Sequence, residues 1–255
     1  MKVSLITVCF NSEKTIRDTI ESVIGQNYPD IEYIIVDGKS QDKTLSIIES
    51  YHKSIKKLIS EEDHGLYDAM NKGITFASGD LIGILNSDDV FTDENVVSTM
   101  ADVFTKNQVD VAWGDVVVIN KRNRIRRLYS GSNISPSSFD YGVMPPHPSV
   151  FIKKDCYEKF GYFNIKYKIA SDYDLLFRFL KLNELKYYYL PKVLVKMKTG
   201  GISNKSIFSV LELNKEIYEI HRSNGIPISV INLMKKIPRR MRELKDHIEN
   251  TYSRR

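Results

Sequence analysis

Two adjacent carboxylates, Asp88 and Asp89, close the apolar run Leu81-Ile82-Gly83-Ile84-Leu85 after the link Asn86-Ser87. In an open α/β sheet, ligands settle just beyond the carboxyl ends of the strands, so acids placed there face a bound group. Two hard oxygen ligands suit Mg²⁺ or Mn²⁺ and, through the cation, a diphosphate. The competing reading is a turn, because Asn, Ser and Asp commonly follow strands and cap the next helix. Asp37 likewise ends the apolar run Ile31 to Val36, and Thr7 and Asn11 fall near the end of the first run. All of these would open on one rim of the sheet. Asp37 can accept a hydrogen bond from a base or ribose, or simply serve the turn before Gly38. Farther along, Asp172 precedes Leu175, Leu176 and Phe179, so it is either a helix cap or a base held at a helix start. At a helix N-terminus the dipole and N–H groups are expected to favour its charged form. Asp174 points to another side of that helix, and His147 sits between two prolines in a loop.

The elements that must carry these residues alternate. Val3 to Phe10 reads as a buried strand, with Asn11 or Ser12 capping a helix whose Ile16, Ile20, Val23 and Ile24 share a face. A second strand runs from Ile31 to Val36, and Ser40 caps a short helix through Leu45, Ile48 and Tyr51. A weak strand at Lys57 to Ser60, a helix from Gly65 to Ala77 and the strand Leu81 to Leu85 follow. Asp93 then caps a helix to about Lys106, and Val109 to Asn120 returns as a strand. This order predicts an α/β fold with a mostly parallel central sheet and helices on both faces. Past a turn at Lys121 to Asn123, a further strand reaches Tyr129. A polar, Pro- and Gly-containing stretch from Gly131 to Pro148 reads as a lid or binding loop. Helices follow at 153–160, 172–182 and 205–223, and Pro227 and Pro238 bracket one more short segment. Tyr187-Tyr188-Tyr189 reads as a strand near the sheet edge rather than a sugar-stacking platform.

Bulk properties exclude several classes. The 255 residues, 27% charged and 42% apolar, have the balance of a folded domain with a full core. Two cysteines, Cys9 and Cys156, cannot build a disulfide framework. The tail from Lys235 to Arg255 carries eight basic and three acidic residues, which accounts for the whole net charge of +5. A neutral body argues against a nucleic-acid footprint. The tail is either a solvated charged helix or a contact to an anionic membrane, where each basic residue contributes about 1 kcal/mol. The apolar start is too short for a secretion signal and no run approaches a membrane span, so the expected location is cytoplasmic, or the inner face of the plasma membrane if the tail contacts it. Neither G-x-G-x-x-G nor G-x-x-x-x-G-K-[ST] is present, so any nucleotide is gripped by side chains and a metal.

Ordered motifs sharpen this reading. They are V-S-L-I-T-V-C-F-N at Val3, I-I-V-D-G-K-S-Q-D-K-T at Ile34, D-H-G-L-Y-D-A-M-N-K-G-I at Asp63, N-S-D-D at Asn86, P-H-P-S-V-F-I-K-K at Pro146, S-D-Y-D-L-L-F-R at Ser171 and G-G-I-S at Gly200. With them the chain resembles the family 2 glycosyltransferases, inverting enzymes with the GT-A nucleotide-sugar transferase fold. The likeness spans residues 1–205, split into a nucleotide-sugar half (1–120) and an acceptor half (121–205). Residues 206–255 form a C-terminal helical extension with the basic tail. The resemblance implies that Asp37 binds the nucleobase, uracil, with Thr7 and Asn11 along the nucleoside. It places Asp68, Asn71, Asn86, Ser87 and Asp88 at the donor and Asp88 and Asp89 at the divalent cation. Asp172 falls at the catalytic-base position, and His147, Ser171, Gly200 and Gly201 at the sugar or acceptor pocket.

Three positions depart from the family pattern. Asn86 replaces an acid, Ser171 stands where many relatives carry Glu, and Lys198-Thr199-Gly200-Gly201 lacks a metal-binding His. The implied reaction is metal-dependent transfer from a UDP-sugar to a hydroxyl of a lipid-linked or polysaccharide acceptor, in bacterial surface polysaccharide assembly. The alternatives are a sugar nucleotidyltransferase, which would need a Gly-rich basic opening loop that Val8-Cys9-Phe10-Asn11-Ser12 does not supply, and a catalytically silent binding module, which would not need Asp172.

Overall fold

In the computed structural model, residues 1–120, 122–198, 207–229 and 233 are described. Gly200 and Gly201, the boundary at 205 and the basic tail lie outside them. The chain runs β1 (Val3–Cys9), α1 (Ile16–Ile24), β2 (Ile31–Asp37), α2 (Thr44–Glu49), β3 (Lys57–Ser60), α3 (Leu66–Phe76), β4 (Leu81–Ile84), β5 (Asp89–Phe91) and α4 (Val96–Asn107). It continues through β6 (Val111–Ile119), β7 (Ile125–Tyr129), two 3₁₀ turns (Pro136–Tyr141 and His147–Ser149), β8 (Phe151–Lys153) and α5 (Lys154–Phe160). Helix α6 (Ser171–Leu176), continued by a π-helical turn over Phe177–Leu182, then β9 (Tyr187–Lys198) and α7 (Ile207–Ser223) complete it.

The sheet follows the order β3-β2-β1-β4-β8-β6-β9-β5, with β7 paired to β6. The half β3-β2-β1-β4 is parallel, as the alternation of strand and helix requires. Beyond β4 the sheet is mixed: β8 runs antiparallel to both β4 and β6, while β6 and β9 run parallel. Strands β5 and β8 have three residues each, too short to leave a periodic signature. Asp89 therefore opens a strand of its own.

Strand β1 is buried along its whole length because both faces are covered. Val3, Leu5 and Cys9 pack with Ile16, Ile20, Ile48 and Val97 of α1, α2 and α4. Ile6 and Val8 pack on the other side with Met70, Ile74, Tyr173 and Ile217 of α3, α6 and α7. Helix α3 approaches β1 closely at Gly73, where a Cβ would stand 2.5 Å from Ile6 Cγ2. That approach sets the depth at which α3 presents Tyr67. Tyr187 stacks on the fully buried Trp113 with ring centroids 5.2 Å apart, so it packs as a strand residue should.

Four expected helix caps are displaced. Helix α1 begins at Ile16, with the Ser12 carbonyl accepting from the Thr15 and Ile16 N–H groups. Asn11 adopts the left-handed region (φ 49°) and its Oδ1 accepts from the Gln41 N–H instead. The Ser40 hydroxyl donates to Asp37, and Asp42 receives the Thr44 N–H at the start of α2. Asp93 accepts from the Asn95 N–H, just ahead of α4. Asn11 thus serves the neighbouring loop and Ser40 its own, while Asp93 acts just ahead of the helix it was expected to cap.

Candidate active site

Three loops leave the carboxyl ends of β1, β2 and β4 and are bound into one rim. Asn11 N–H donates to Ser40 Oγ and Ser12 N–H to Thr44 Oγ1, which joins the first loop to the second. Ser12 and Ser87 hydroxyls lie 2.8 Å apart, which joins the first to the third. Ser87 thus acts as a brace across the rim. On the third loop, Asp89 is 1% exposed, and its Oδ2 accepts from Asn86 Nδ2 at 3.3 Å. Its Oδ1, like the Oδ1 of Asn86, is buried with no hydrogen-bond partner. Burial, reinforced by the charge of Asp88, pushes the Asp89 carboxyl well above the ordinary carboxylate range. Asp88 is half-buried and raised by burial too, an effect partly offset by the positive charge of Lys198.

Two orphaned oxygen acceptors beside a second carboxylate are a costly arrangement unless a cation neutralises them. The donor set is hard oxygen, which fits Mg²⁺ or Mn²⁺. Among the described residues no group of three or more His, Cys, Asp or Glu could hold a metal. Asp88 and Asp89 are the residues that would hold such a cation.

The second half of the site is built on α6. A cavity of about 310 Å³ has Asn86 on one wall and Asp172, His147 and Tyr67 on others. Arg127 also lines it, its guanidinium 3.9 Å from the centre of the Tyr129 ring. The Gly131–Pro148 segment supplies much of the remaining lining, including Ile134, Met144 and Pro145, in keeping with its reading as a binding loop. Asp172 is half-buried at the second position of α6, so it is not the cap; Ala170 occupies that place. Asp172 Oδ1 accepts from the Tyr173 N–H at 2.8 Å and lies 3.4 Å from the Tyr67 hydroxyl, which also donates to the Ile169 carbonyl at 2.7 Å.

The expected depression of the Asp172 pKa is reversed. Burial dominates and raises it, against opposing contributions from His147, the Tyr173 N–H and Tyr67. The result is a stronger base than an ordinary carboxylate. His147 is held neutral by burial, its ring edge-on to Phe163 at 5.8 Å between centroids.

Several expected site residues are bonded within the protein. Thr7 is fully buried in mid-strand, its hydroxyl accepting from Tyr33 at 3.0 Å, so it does not face the rim. Asp37 is also fully buried and its oxygens receive the Ser40 N–H and hydroxyl and the Ser60 hydroxyl. It anchors the second loop, and a base could reach it only by displacing one of those bonds. Asn71 exchanges both amide bonds with the Phe163 backbone, and Asp68 receives the His64 N–H and pairs with Lys72 at 3.4 Å. These two hold the ends of loops on α3. Ser171 is fully buried with its hydroxyl unpartnered, and Asp174 pairs with Arg178 at 2.9 Å. Tyr67, Arg127 and Lys198 went unnoticed in the sequence because only their surroundings in space give them a role.

The residues that converge here fall within a matched family. The family model "Glycosyl transferase family 2" matches residues 4–174. An uncharacterized glycosyltransferase of Mycobacterium tuberculosis is 32% identical over 187 residues, covering 69% of this chain and 68% of that protein. A PGL/p-HBAD biosynthesis glycosyltransferase of the same organism is 26% identical over 206 residues, covering 79% and 78%. Among solved structures, S. aureus TarS 1–349 in complex with UDP-GlcNAc superposes with a TM-score of 0.68 at 20% identity, over 87% of this chain; the chain spans 65% of that one. The mannosyltransferase PcManGT from Pyrobaculum calidifontis, in complex with GDP-Man and Mn²⁺, gives 0.64 at 15% identity, over 88% and 64%. The fold is thus the GT-A fold, and Asp88, Asp89, Asp172 and the loops described above sit on it in the order that the motifs run. With two thirds of its length under one family model, this chain belongs to glycosyl transferase family 2.

Proposed function

We propose that the chain transfers a sugar from a nucleoside-diphosphate donor, UDP-linked, to a hydroxyl of a saccharide or lipid-linked saccharide acceptor, with inversion at the anomeric carbon. The observation that carries this reading is the single cavity with Asn86 of the acid loop on one wall and Asp172 on another. Inverting transfer is one displacement: the acceptor oxygen attacks from the face opposite the departing diphosphate. Asp172 takes the hydroxyl proton; the Tyr173 N–H fixes its Oδ1, and the Tyr67 hydroxyl, whose one proton goes chiefly to the closer Ile169 carbonyl, lies 3.4 Å from it. A cation held by Asp88 and Asp89 would neutralise the charge that grows on the leaving diphosphate. His147, held neutral by burial, also borders the reacting space. A TarS structure with UDP-GlcNAc and a PcManGT structure with GDP-Man and Mn²⁺ support a nucleotide-sugar donor and a divalent ion. The PGL/p-HBAD biosynthesis relative supports a role in building a cell-surface glycoconjugate. Among the described residues no helix is long and apolar enough to cross a membrane, and membrane contact through the Lys235–Arg255 tail is part of the proposal.

The test is direct. Incubated with Mn²⁺ and a panel of nucleotide sugars, the protein should slowly hydrolyse one of them and release UDP, and EDTA should stop the release. Tight UDP binding without turnover across donors and acceptors would instead identify a silent binding module.

The pH profile gives a second expected outcome. Asp172 works ionised, and burial raises its pKa, so the acid limb of kcat/KM should lie above the ordinary carboxylate range. Tyr67→Phe removes the hydroxyl dipole beside Asp172, which favours the charged form. The limb should therefore move to still higher pH, with the rate at acidic pH falling several-fold while the plateau changes little. A limb that stays in place, or moves to lower pH, would separate Tyr67 from the base.

A further inference from the structure

We infer that Glu216, on α7 beyond the matched family region, is a positioning residue for transfer: its carboxylate holds the backbone that presents Asp172. The inference rests on the reading of Asp172 as the base. Glu216 is 5% exposed and accepts three backbone N–H groups, those of Lys168 at 2.8 Å, Ile169 at 3.0 Å and Ala170 at 2.7 Å. These three residues lead directly into α6, and Ala170, its cap, has no side chain able to receive an N–H. A helix start leaves the Ala170 N–H without an intrahelical partner, and Lys168 and Ile169 lie before the helix. Here the acceptor comes from another helix, reaching across the packing between α6 and α7.

The same segment is gripped from the opposite side by Tyr67, whose hydroxyl donates to the Ile169 carbonyl. A second hold lies one residue past Asp172. The Tyr173 hydroxyl donates to the Phe139 carbonyl at 2.8 Å, which leaves it to accept from His221 Nε2, also at 2.8 Å. His221 is fully buried and belongs to α7 as well. Glu216 thus fixes the residues before Asp172, and His221 fixes the residue after it. Nothing on α7 is hydrogen-bonded to the acid loop at 86–89 among the described residues. The hold acts on the base end of the cavity and leaves the cation end alone.

Without the Glu216 carboxylate, three N–H groups, that of Ala170 buried and the other two partly so, lose their acceptor, and the 168–170 backbone shifts to find others. A displacement of about 1 Å at a reacting group can cost on the order of 10²-fold in rate. The experiment compares full-length wild type, Glu216→Gln, Glu216→Asp and Asp172→Asn. It follows Mn²⁺-dependent UDP release from the UDP-sugar that wild type hydrolyses fastest, with Mn²⁺–UDP affinity by calorimetry and amide exchange at 168–170. Glu216→Gln should lower kcat by about 10–100-fold, leave KM and Mn²⁺–UDP affinity within about twofold, and speed exchange at those amides. As Asp172 swings toward water, the acid limb should move down toward the ordinary carboxylate range. Of the other titratable groups facing Asp172, His147 is left as it was, whereas Tyr67 loses the repulsion of the Glu216 charge; Glu216→Asp retains that charge and so separates this effect from the positional one. Glu216→Asp, a methylene shorter but still an anionic acceptor, should recover part of the rate even where the glutamine variant folds poorly.

Unchanged kcat and limb in Glu216→Gln, with transfer lost in Asp172→Asn, would overturn the positioning role alone. So would a kcat loss matched by the unfolded fraction with the limb in place. Wild-type rates in Asp172→Asn would instead sink the base assignment on which the inference rests.

Discussion

Replacing Asp172 with asparagine is expected to lower kcat for transfer by about 10²–10⁴, the usual range for removal of a general base. Donor KM should stay within about twofold, because the acids that would face the diphosphate lie on the β4–β5 loop and not on α6. Asparagine is close in shape, and its carbonyl oxygen can still receive the Tyr173 N–H that Asp172 Oδ1 receives now. The substitution should also raise the melting temperature at neutral pH. Burial holds the Asp172 pKa above its unfolded value, so the folded state binds its proton more readily than the unfolded chain does. As pH rises through that window, ionisation favours the unfolded chain and stability is lost; a neutral amide at 172 removes the loss. Lost activity with gained stability is the signature of a residue kept for chemistry. Steady-state kinetics and thermal melts on the same preparation check both halves. A variant that loses donor affinity would move Asp172 to the donor end, and one that loses both stability and rate would make it a structural residue.

That combination was only half readable from the amino-acid order. The strands that form the parallel half announce themselves because both their faces are buried: Val3 to Cys9 and Tyr33 to Asp37 contain no exposed residue. Their ends could be placed, and with them the rim, because Asp37 and Asp88-Asp89 interrupt apolar runs. The mixed half could not. Strand β8 is three residues long, and it runs opposite to the two strands it joins, so no local pattern reveals its direction. Site residues divide in the same way. Asp172 and His147 stood out by type and setting, and the cavity brings them together. Thr7, Asp37 and Asn71 were given to the donor by the resemblance, and the fold adds bonds to protein that the sequence does not show, from Tyr33, from Ser40 and Ser60, and with the Phe163 backbone. A side chain near a site in sequence has many partners available, and the nearest ones win. The direction of the Asp172 pKa failed for a related reason. The helix start is visible in sequence, whereas the depth at which α3 and the 147–149 turn cover it is not. Glu216 carried no sequence signal at all, since its three backbone partners lie far upstream in the chain.

The cation end yields an equally large expected effect from Asp89→Asn. Transfer should fall by about 10²–10³, since Lewis-acid stabilisation of a leaving diphosphate is worth several kcal/mol and each 1.4 kcal/mol is about tenfold. Stability should respond in the opposite sense without metal. Asp89 buries a carboxylate whose Oδ1 has no partner, beside Asp88 and beside the orphaned Asn86 Oδ1. An amide at 89 removes the unpaired charge and brings an N–H group into a pocket short of donors, so the metal-free variant should melt higher than metal-free wild type. In wild type, Mn²⁺ with UDP should raise the melting temperature, because a ligand at 100 times its Kd stabilises the folded state by about 2.7 kcal/mol. In Asp89→Asn that rise should shrink or vanish. The pairing of the two melts matters: a purely structural acid would give a lower metal-free melting temperature and an intact response to Mn²⁺–UDP. Should the variant keep the full response, the cation is held elsewhere, and Asp88 and Asp89 are the turn that their position after β4 also allows. Should it melt higher and ignore the ion, the unsatisfied oxygens at the rim exist to meet a cation, and the instability they cause in its absence is the cost of keeping that place ready.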